Sequence, residues 1–245
     1  MSGASYISPN WPAPPSVKGF VSTRLGGVSQ SPFNTLNLGA HVGDEPQAVV
    51  TNRGRFAQQI NMPESVVWLN QVHGTQVIAL PTNEQIDAAD AAYSNSIGQV
   101  CAVLTADCLP VFFCDSKGHQ VAVAHAGWRG LCAGILESTL AKFDDPEQVM
   151  AWLGPAIGPS AFEVGQEVYE AFCLKETSAH VAFKPSAEGK WLADLYTLAR
   201  QRLKAVGVEH VYGGDYCTYT DEERFFSYRR DGQTGRMASV VWIEA

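Results

Sequence analysis

The strongest periodicity in the chain lies in residues 128–143, where Trp128, Leu131, Cys132, Ile135, Leu136, Thr139, Leu140 and Phe143 recur at i, i+3, i+4 and i+7 spacing. That spacing predicts an amphipathic helix with one apolar face. Three further segments carry helix signals. Asp44 with Gln47 three residues on resembles a capping box, and Pro46 suits the first turn of a helix running to about residue 62. A helix is expected over residues 166–173. Asp194 heads another, whose shared face is Leu195, Leu198, Ala199, Leu203 and Val206 and which Gly207 ends.

Between these lie strand-like runs. Residues 17–23 read as a strand followed by a turn, Arg24-Leu25-Gly26-Gly27-Val28-Ser29, whose paired glycines admit positive φ. Two apolar runs within residues 66–80 flank Gln71-Val72-His73-Gly74. Residues 100–113 are almost wholly apolar, but Asp107 and Pro110 interrupt them, and proline cannot donate to a sheet ladder. Two buried strands with a break at 107–110 are expected, with Cys108 in the break. Asp115-Ser116-Lys117-Gly118 is a turn that returns the chain along residues 121–124 to His125. Residues 149–153, 208–212 and 237–243 read as further strands, and 154–159 as a rigid loop of glycine and proline.

The mixture of helices and strands, with an antiparallel hairpin at Gly118, places the chain in the α+β or mixed α/β class. No linker or internal repeat divides it, so residues 1–245 are expected to form a single catalytic domain. Apolar residues make up 46% and charged residues 17%, the profile of a compact enzyme-like domain. A net charge of -8 argues against nucleic acid or anionic lipid as a partner, because such binding needs a basic surface. No segment is apolar enough to span a membrane. Residues 1–15 lack a basic stretch followed by an apolar core, so the six cysteines are expected as reduced thiols and the cytoplasm as the compartment.

Candidate chemistry is concentrated in three segments: Gln71-Val72-His73-Gly74, Thr105-Ala106-Asp107-Cys108 and His125-Ala126-Gly127-Trp128-Arg129-Gly130. Each places one metal-capable side chain where an apolar run ends, and together they suggest a His-Cys-His site. Catalytic zinc commonly takes three protein ligands and leaves the fourth position open. Cys101 and Cys114 read as buried thiols, and Cys132 as part of a helix stripe. No Cys-x-x-Cys pair is present. The zinc-deaminase signature is absent too, since Ala126 and Gly127 follow His125.

These segments, with Arg24-Leu25-Gly26-Gly27-Val28-Ser29, Leu36-Asn37-Leu38-Gly39, Gly43-Asp44, Asn52-Arg53, Ala106-Asp107-Cys108-Leu109-Pro110 and Phe225-Phe226-Ser227-Tyr228-Arg229-Arg230-Asp231, resemble the YfiH-like family. That family is labelled multicopper polyphenol oxidase or laccase-domain protein, and also purine nucleoside phosphorylase. The resemblance implies His73, Cys108 and His125 as zinc ligands in an α/β/β/α-type sandwich similar to the toxin-type cysteine hydrolase fold. It implies adenosine, inosine and 5'-methylthioadenosine as substrates, adenosine deaminase activity beside phosphorolysis, and an association with peptidoglycan precursor editing.

A multicopper oxidase needs on the order of ten imidazoles. The chain has six histidines, so a laccase centre is not expected, although copper could occupy the His-Cys-His site. Phosphorolysis needs a nucleoside, a phosphate and positive charge to orient it. Arg24, beside Gly26 and Gly27, is the favoured phosphate ligand, with Arg229, Arg129 and Arg230 as further candidates and Arg53 expected as a surface ion pair. Asn37, Gln71 and Tyr228 complete the substrate-binding set, Tyr228 by stacking on or bonding a base. Asp107 is the candidate for orienting a histidine ligand or moving a proton. Two other classes stay open: an amide hydrolase with Cys108 as nucleophile and His125 or His73 as base, and a non-enzymatic module whose zinc has a fourth protein ligand. A monomer or homodimer is expected.

Overall fold

A computed structural model describes residues 5–82 and 88–245. Two large sheets lie face to face. The first, in the order β1-β2-β13-β5, contains Tyr6–Ile7, Val17–Ser22, Met237–Ile243 and Cys101–Thr105, paired antiparallel throughout. The second, in the order β12-β8-β6-β7-β4-β3, contains Val211–Gly213, Val149–Leu153, Leu109–Asp115, Val121–Ala126, Ala91–Ser94 and Val77–Leu80. It is mixed, with β12 parallel to β8, β3 parallel to β4 and antiparallel pairing between.

Alternation along the strands builds the layers. On β6 and β7, Phe112, Cys114, Val121 and Val123 face the first sheet, where they meet Cys101, Val103, Met237 and Val241. Their neighbours Val111, Phe113, Ala122 and Ala124 face the opposite way, into a core closed by helices. Those helices are α2 (Trp128–Ala133), α3 (Ile135–Leu140), α4 (Gln166–Cys173) and α5 (Leu195–Ala205). On the far side, α1 (Pro46–Gln59) sets Phe56, with Ile60 just beyond it, against Ala102, Leu104, Val240 and Trp242 of the first sheet. The order helix, sheet, sheet, helix is the expected sandwich. A small sheet of β9 (Glu163–Gly165), β10 (Phe183–Pro185) and β11 (Lys190–Ala193) and a one-turn helix, α6 (Tyr228–Asp231), complete it. None of these helices is long and apolar enough to cross a membrane.

Several elements depart from the sequence reading for identifiable reasons. The helix expected over 128–143 breaks at Gly134, whose φ of +113° is left-handed, so the apolar stripe is carried by two short helices in succession. Asp44 does not cap α1: its carboxylate accepts the Ser29 hydroxyl and the Asn37 amide, while Glu45 stands at the cap with no side-chain bond. Pro110 lies inside β6, opposite His125, with its carbonyl accepting from Gly154. The break is therefore residues 106–108, and across it the chain passes from the first sheet to the second. In residues 66–80 only Val77–Leu80 is a strand, the first run making a single bridge from Val66 to Val100. The strand expected at 208–212 is Val211–Gly213. By contrast, α4, β8 and β13 have the expected bounds, and Asp194 caps α5 by accepting the Tyr196 and Thr197 amides.

Candidate metal centre and cleft

His125 is the penultimate residue of β7, and Gly127 begins the turn into α2. Cys108 closes the three-residue crossing between the sheets, where Asp107 holds a φ of +89°. His73 sits in a loop at a φ of +61°. These elements meet so that the three donor atoms lie within 4.8 Å of one another. Cys108 Sγ is 3.8 Å from His73 Nε2, and the two imidazoles meet edge to face at 4.7 Å between centroids. Tetrahedral zinc, with bonds of about 2.0–2.3 Å, sets its donors about 3.3–3.8 Å apart. The spacing and the soft-plus-imidazole donor set therefore fit zinc or copper.

A buried carboxylate that the sequence reading did not single out holds this arrangement. Asp90, fully buried, accepts the backbone amides of Val72, His73 and Gly74. Its Oδ1 also pairs with His125 Nδ1 at 2.8 Å, which leaves Nε2 of that ring for a metal. Glycine 127 keeps the space open, since a Cβ there would lie 2.8 Å from His73 Cδ2 and 3.0 Å from Cys108 Sγ. In the metal-free site burial pushes the Cys108 thiol up, but His125 and then His73 outweigh it and bring it down to about 6. Burial opposes the charge on His125, yet the Cys108 thiolate and the Asp90 hydrogen bond raise it to about 9.

The trio opens onto a cleft of about 780 Å³, whose walls include His41, Arg53, Trp68, Thr105, Tyr228 and Arg236. On the other side of Cys108 a smaller cavity of about 140 Å³ is lined mainly by Ala106, Trp128, Ile157, Phe162 and Leu195. Ala106, Cys108 and Tyr228 line both.

A family model described as "Multi-copper polyphenol oxidoreductase laccase" matches residues 18–244. The chain belongs to that laccase family. "Purine nucleoside phosphorylase YfiH" of Escherichia coli is 58% identical over 243 residues, 98% of this chain and 99% of that protein. A Haemophilus influenzae "Purine nucleoside phosphorylase" is 52% identical over 241 residues, 97% of this chain and 99% of its own length. Among solved structures, a Neisseria meningitidis protein superposes with a TM-score of 0.94 at 51% identity, covering 99% of this chain and 100% of that one. YlmD from Geobacillus stearothermophilus gives 0.92 at 30% identity, covering 100% and 98%.

In this laccase-family chain the other expected site residues are distributed unevenly. Gln71 lines the cleft, locked to the Leu104 backbone by its amide nitrogen at 2.8 Å and its oxygen at 2.7 Å. Tyr228 is 61% exposed and free to meet a ligand, whereas the adjacent Phe225 and Phe226 are core. Arg229 lines only the small cavity and gives its Nη1 to the Glu163 carbonyl. Arg24 lines neither cavity: its Nε and Nη1 donate to the carbonyls of Asn34 and Glu222, and its guanidinium covers Phe226. Asn37 is buried and structural, bonded to Gly39, Asp44 and Arg236. Asp107 orients no histidine, since its oxygens accept the Thr218 hydroxyl and the Arg229 amide. Arg129 stacks on Trp128, and Arg230 pairs with Asp231.

Arg53 is not the surface ion pair expected of it, because its side chain reaches across into the cleft. His41 and Arg236 on the cleft wall, like Asp90 behind His125, are site residues that no sequence motif marks. For Arg236 the available signal was an arginine directly before an apolar strand, which must point its charge out of the sandwich edge.

Proposed function

We propose that this protein is a zinc-dependent purine nucleoside phosphorylase acting on adenosine, inosine and 5'-methylthioadenosine, with adenosine deaminase activity when water takes the place of phosphate. The observation that carries the reading is an open His73-Cys108-His125 donor set facing a cleft of nucleoside size with arginines and aromatic rings on its walls. The names of the relatives support the same reaction class. Zinc on the trio would supply a Lewis acid for phosphate or for water.

The chain's own residues do the rest. Asp90 fixes the His125 tautomer and the loop carrying His73, so both imidazoles face Cys108 without reorganising. Tyr228, which lines both the cleft and the small apolar cavity, would stack on the purine. In phosphorolysis a phosphate oxygen bonds to C1' as the C1'–N9 bond breaks, and the purine leaves with the bonding pair and takes up a proton. In deamination a water oxygen bonds to C6 and ammonia leaves.

One observation favours a second reading. Asp90, His125 and the Cys108 thiolate form the chain of groups that a thiol amide hydrolase uses, as editing of a peptidoglycan precursor would require. Polyphenol oxidation by copper has less support, because the trio is the one cluster of metal-capable side chains among the described residues.

The deciding experiment incubates protein of defined metal content with adenosine, with and without phosphate, and separates the products. Adenine and ribose 1-phosphate formed only with phosphate support phosphorolysis, and inosine formed without it supports deamination. Turnover that survives chelation but not alkylation selects the thiol hydrolase. Unchanged turnover in Cys108→Ala rejects the site.

A further inference from the structure

Two arginines in the cleft are held in an unusual way. Arg53 donates Nε to the Leu38 carbonyl at 3.0 Å, and its guanidinium lies 4.1 Å over the Trp68 ring. Arg236 gives Nη1 to the carbonyls of Thr234 and Gly235 at 2.9 and 3.0 Å and lies 5.9 Å from the Tyr228 centroid. Each guanidinium is therefore fixed along one edge by neutral groups, and its remaining N–H donors meet no acceptor among the described residues.

Neither has a carboxylate within ion-pair distance among the described residues, where the paired arginines are Arg202, Arg224 and Arg230. Burial lowers the affinity of both for their protons. His41 shares the wall, and burial followed by the charges of Arg236 and Arg53 disfavours its protonated form. Thr105, also on the cleft wall, is 2% exposed, and its hydroxyl has no hydrogen-bond partner. Two partly desolvated guanidiniums whose charges both reach His41, on a wall with an unpaired buried hydroxyl, make a setting that favours an anion, with the Cys108 thiolate and Asp107 acting on Arg236 only through space.

We infer that Arg53 and Arg236 form an oxyanion subsite in the cleft, with Thr105 and His41 beside it, and that its ligand is inorganic phosphate. The choice of phosphate among tetrahedral oxyanions rests on the phosphorylase reading. The subsite itself does not. A planar guanidinium presents two parallel donors to two phosphate oxygens, and the Trp68 ring keeps the fork of Arg53 oriented. The subsite lies on the cleft side of Cys108, so phosphate and the trio face the same space. This moves phosphate recognition away from Arg24, which lines neither cavity, and Arg229, which lines only the small one.

The test is calorimetric titration of inorganic phosphate into zinc-loaded wild type, Arg53→Gln and Arg236→Gln, with circular dichroism and zinc content as controls. Each substitution is expected to weaken phosphate binding about tenfold or more, the loss of a charge-assisted pair, with zinc content unchanged. If either variant melts early, Arg53→Lys or Arg236→Lys replaces it, keeping the charge and removing the fork. Metal-free Cys108→Ala is expected to retain measurable phosphate binding. Unchanged phosphate affinity in both arginine variants, or binding that disappears with the metal alone, overturns the subsite. Arginine-dependent phosphate binding without phosphate-dependent cleavage of adenosine rejects the phosphorylase reading and leaves the subsite standing.

Discussion

Asp90 and His125 are joined twice, by the 2.8 Å bond between carboxylate and imidazole and by a 2.7 Å bond from the His125 amide to the Asp90 carbonyl. The same carboxylate gathers the amides of Val72, His73 and Gly74. One acidic side chain thus orients donors from two separate segments. Asp90→Ala is expected to lower zinc affinity about 10- to 100-fold, as loss of such a partner does elsewhere. Competition against a chromophoric chelator measures it, and wild-type affinity in the variant would refute the role.

Gly127 marks where the trio has no slack. Its φ of -63° suits any residue, so Gly127→Ala leaves the backbone unstrained while driving a methyl group against His73 and Cys108. The expected outcome is a folded protein, by circular dichroism, that has lost stoichiometric zinc. A variant that keeps its full complement of metal would show that the loop yields.

The thiol chemistry carries its own pH signature. In the metal-free protein Cys108 is a thiolate above about pH 6, since the histidines outweigh the effect of burial. With its affinity for protons depressed, the stabilising thiolate is lost as pH falls through that value. The raised His125 loses its charge as pH rises through about 9. The ion pair therefore exists between these limits. Iodoacetamide should label Cys108 with a half-maximal rate near pH 6, and zinc should block the labelling. Cys101 and Cys114, whose thiols burial pushes well up, should stay unlabelled. A midpoint near the ordinary thiol value would contradict the pairing.

Asn52 tests the scaffold. Its oxygen accepts the Val28 amide, and its nitrogen donates to Ser29, Thr35 and Asn37, all from the buried face of α1. Asn52→Ala strands several of these groups and is expected to destabilise the fold by about 2–4 kcal/mol, at about 1–3 kcal/mol per orphaned group partly rescued by water. Urea unfolding followed by fluorescence gives the figure.

How much of this was legible in the chain depended on whether a signal was local. Asp194 and Gly207 punctuate α5, and the apolar runs of β8 and β13 stand alone, so their bounds could be read. Gly74 beside His73, Gly127 two residues after His125, and the break around Cys108 singled out three side chains that the fold brings together. Asp90 carries no such mark: it lies among alanines and acquires its role only when β4 pairs with β7. Arg53 looked like a solvated helix charge because nothing in its neighbours reports that Trp68 and Leu38 lie across from it. Strands β9, β10 and β11 have three or four residues each, too few to show a period, and β9 finds its partner β11 some 25 residues along the chain.

The passage of the chain from one sheet to the other in residues 106–108 makes Cys108 a joint between them. His125 comes from the second sheet and His73 from a loop whose Gln71 is bonded to the first. A metal held by all three would clasp the two sheets where the chain crosses between them, so that parting them opens the site. Occupancy is then coupled to the integrity of the sandwich: binding favours the closed assembly by mass action, and loss of metal becomes an early reporter of the sheets coming apart.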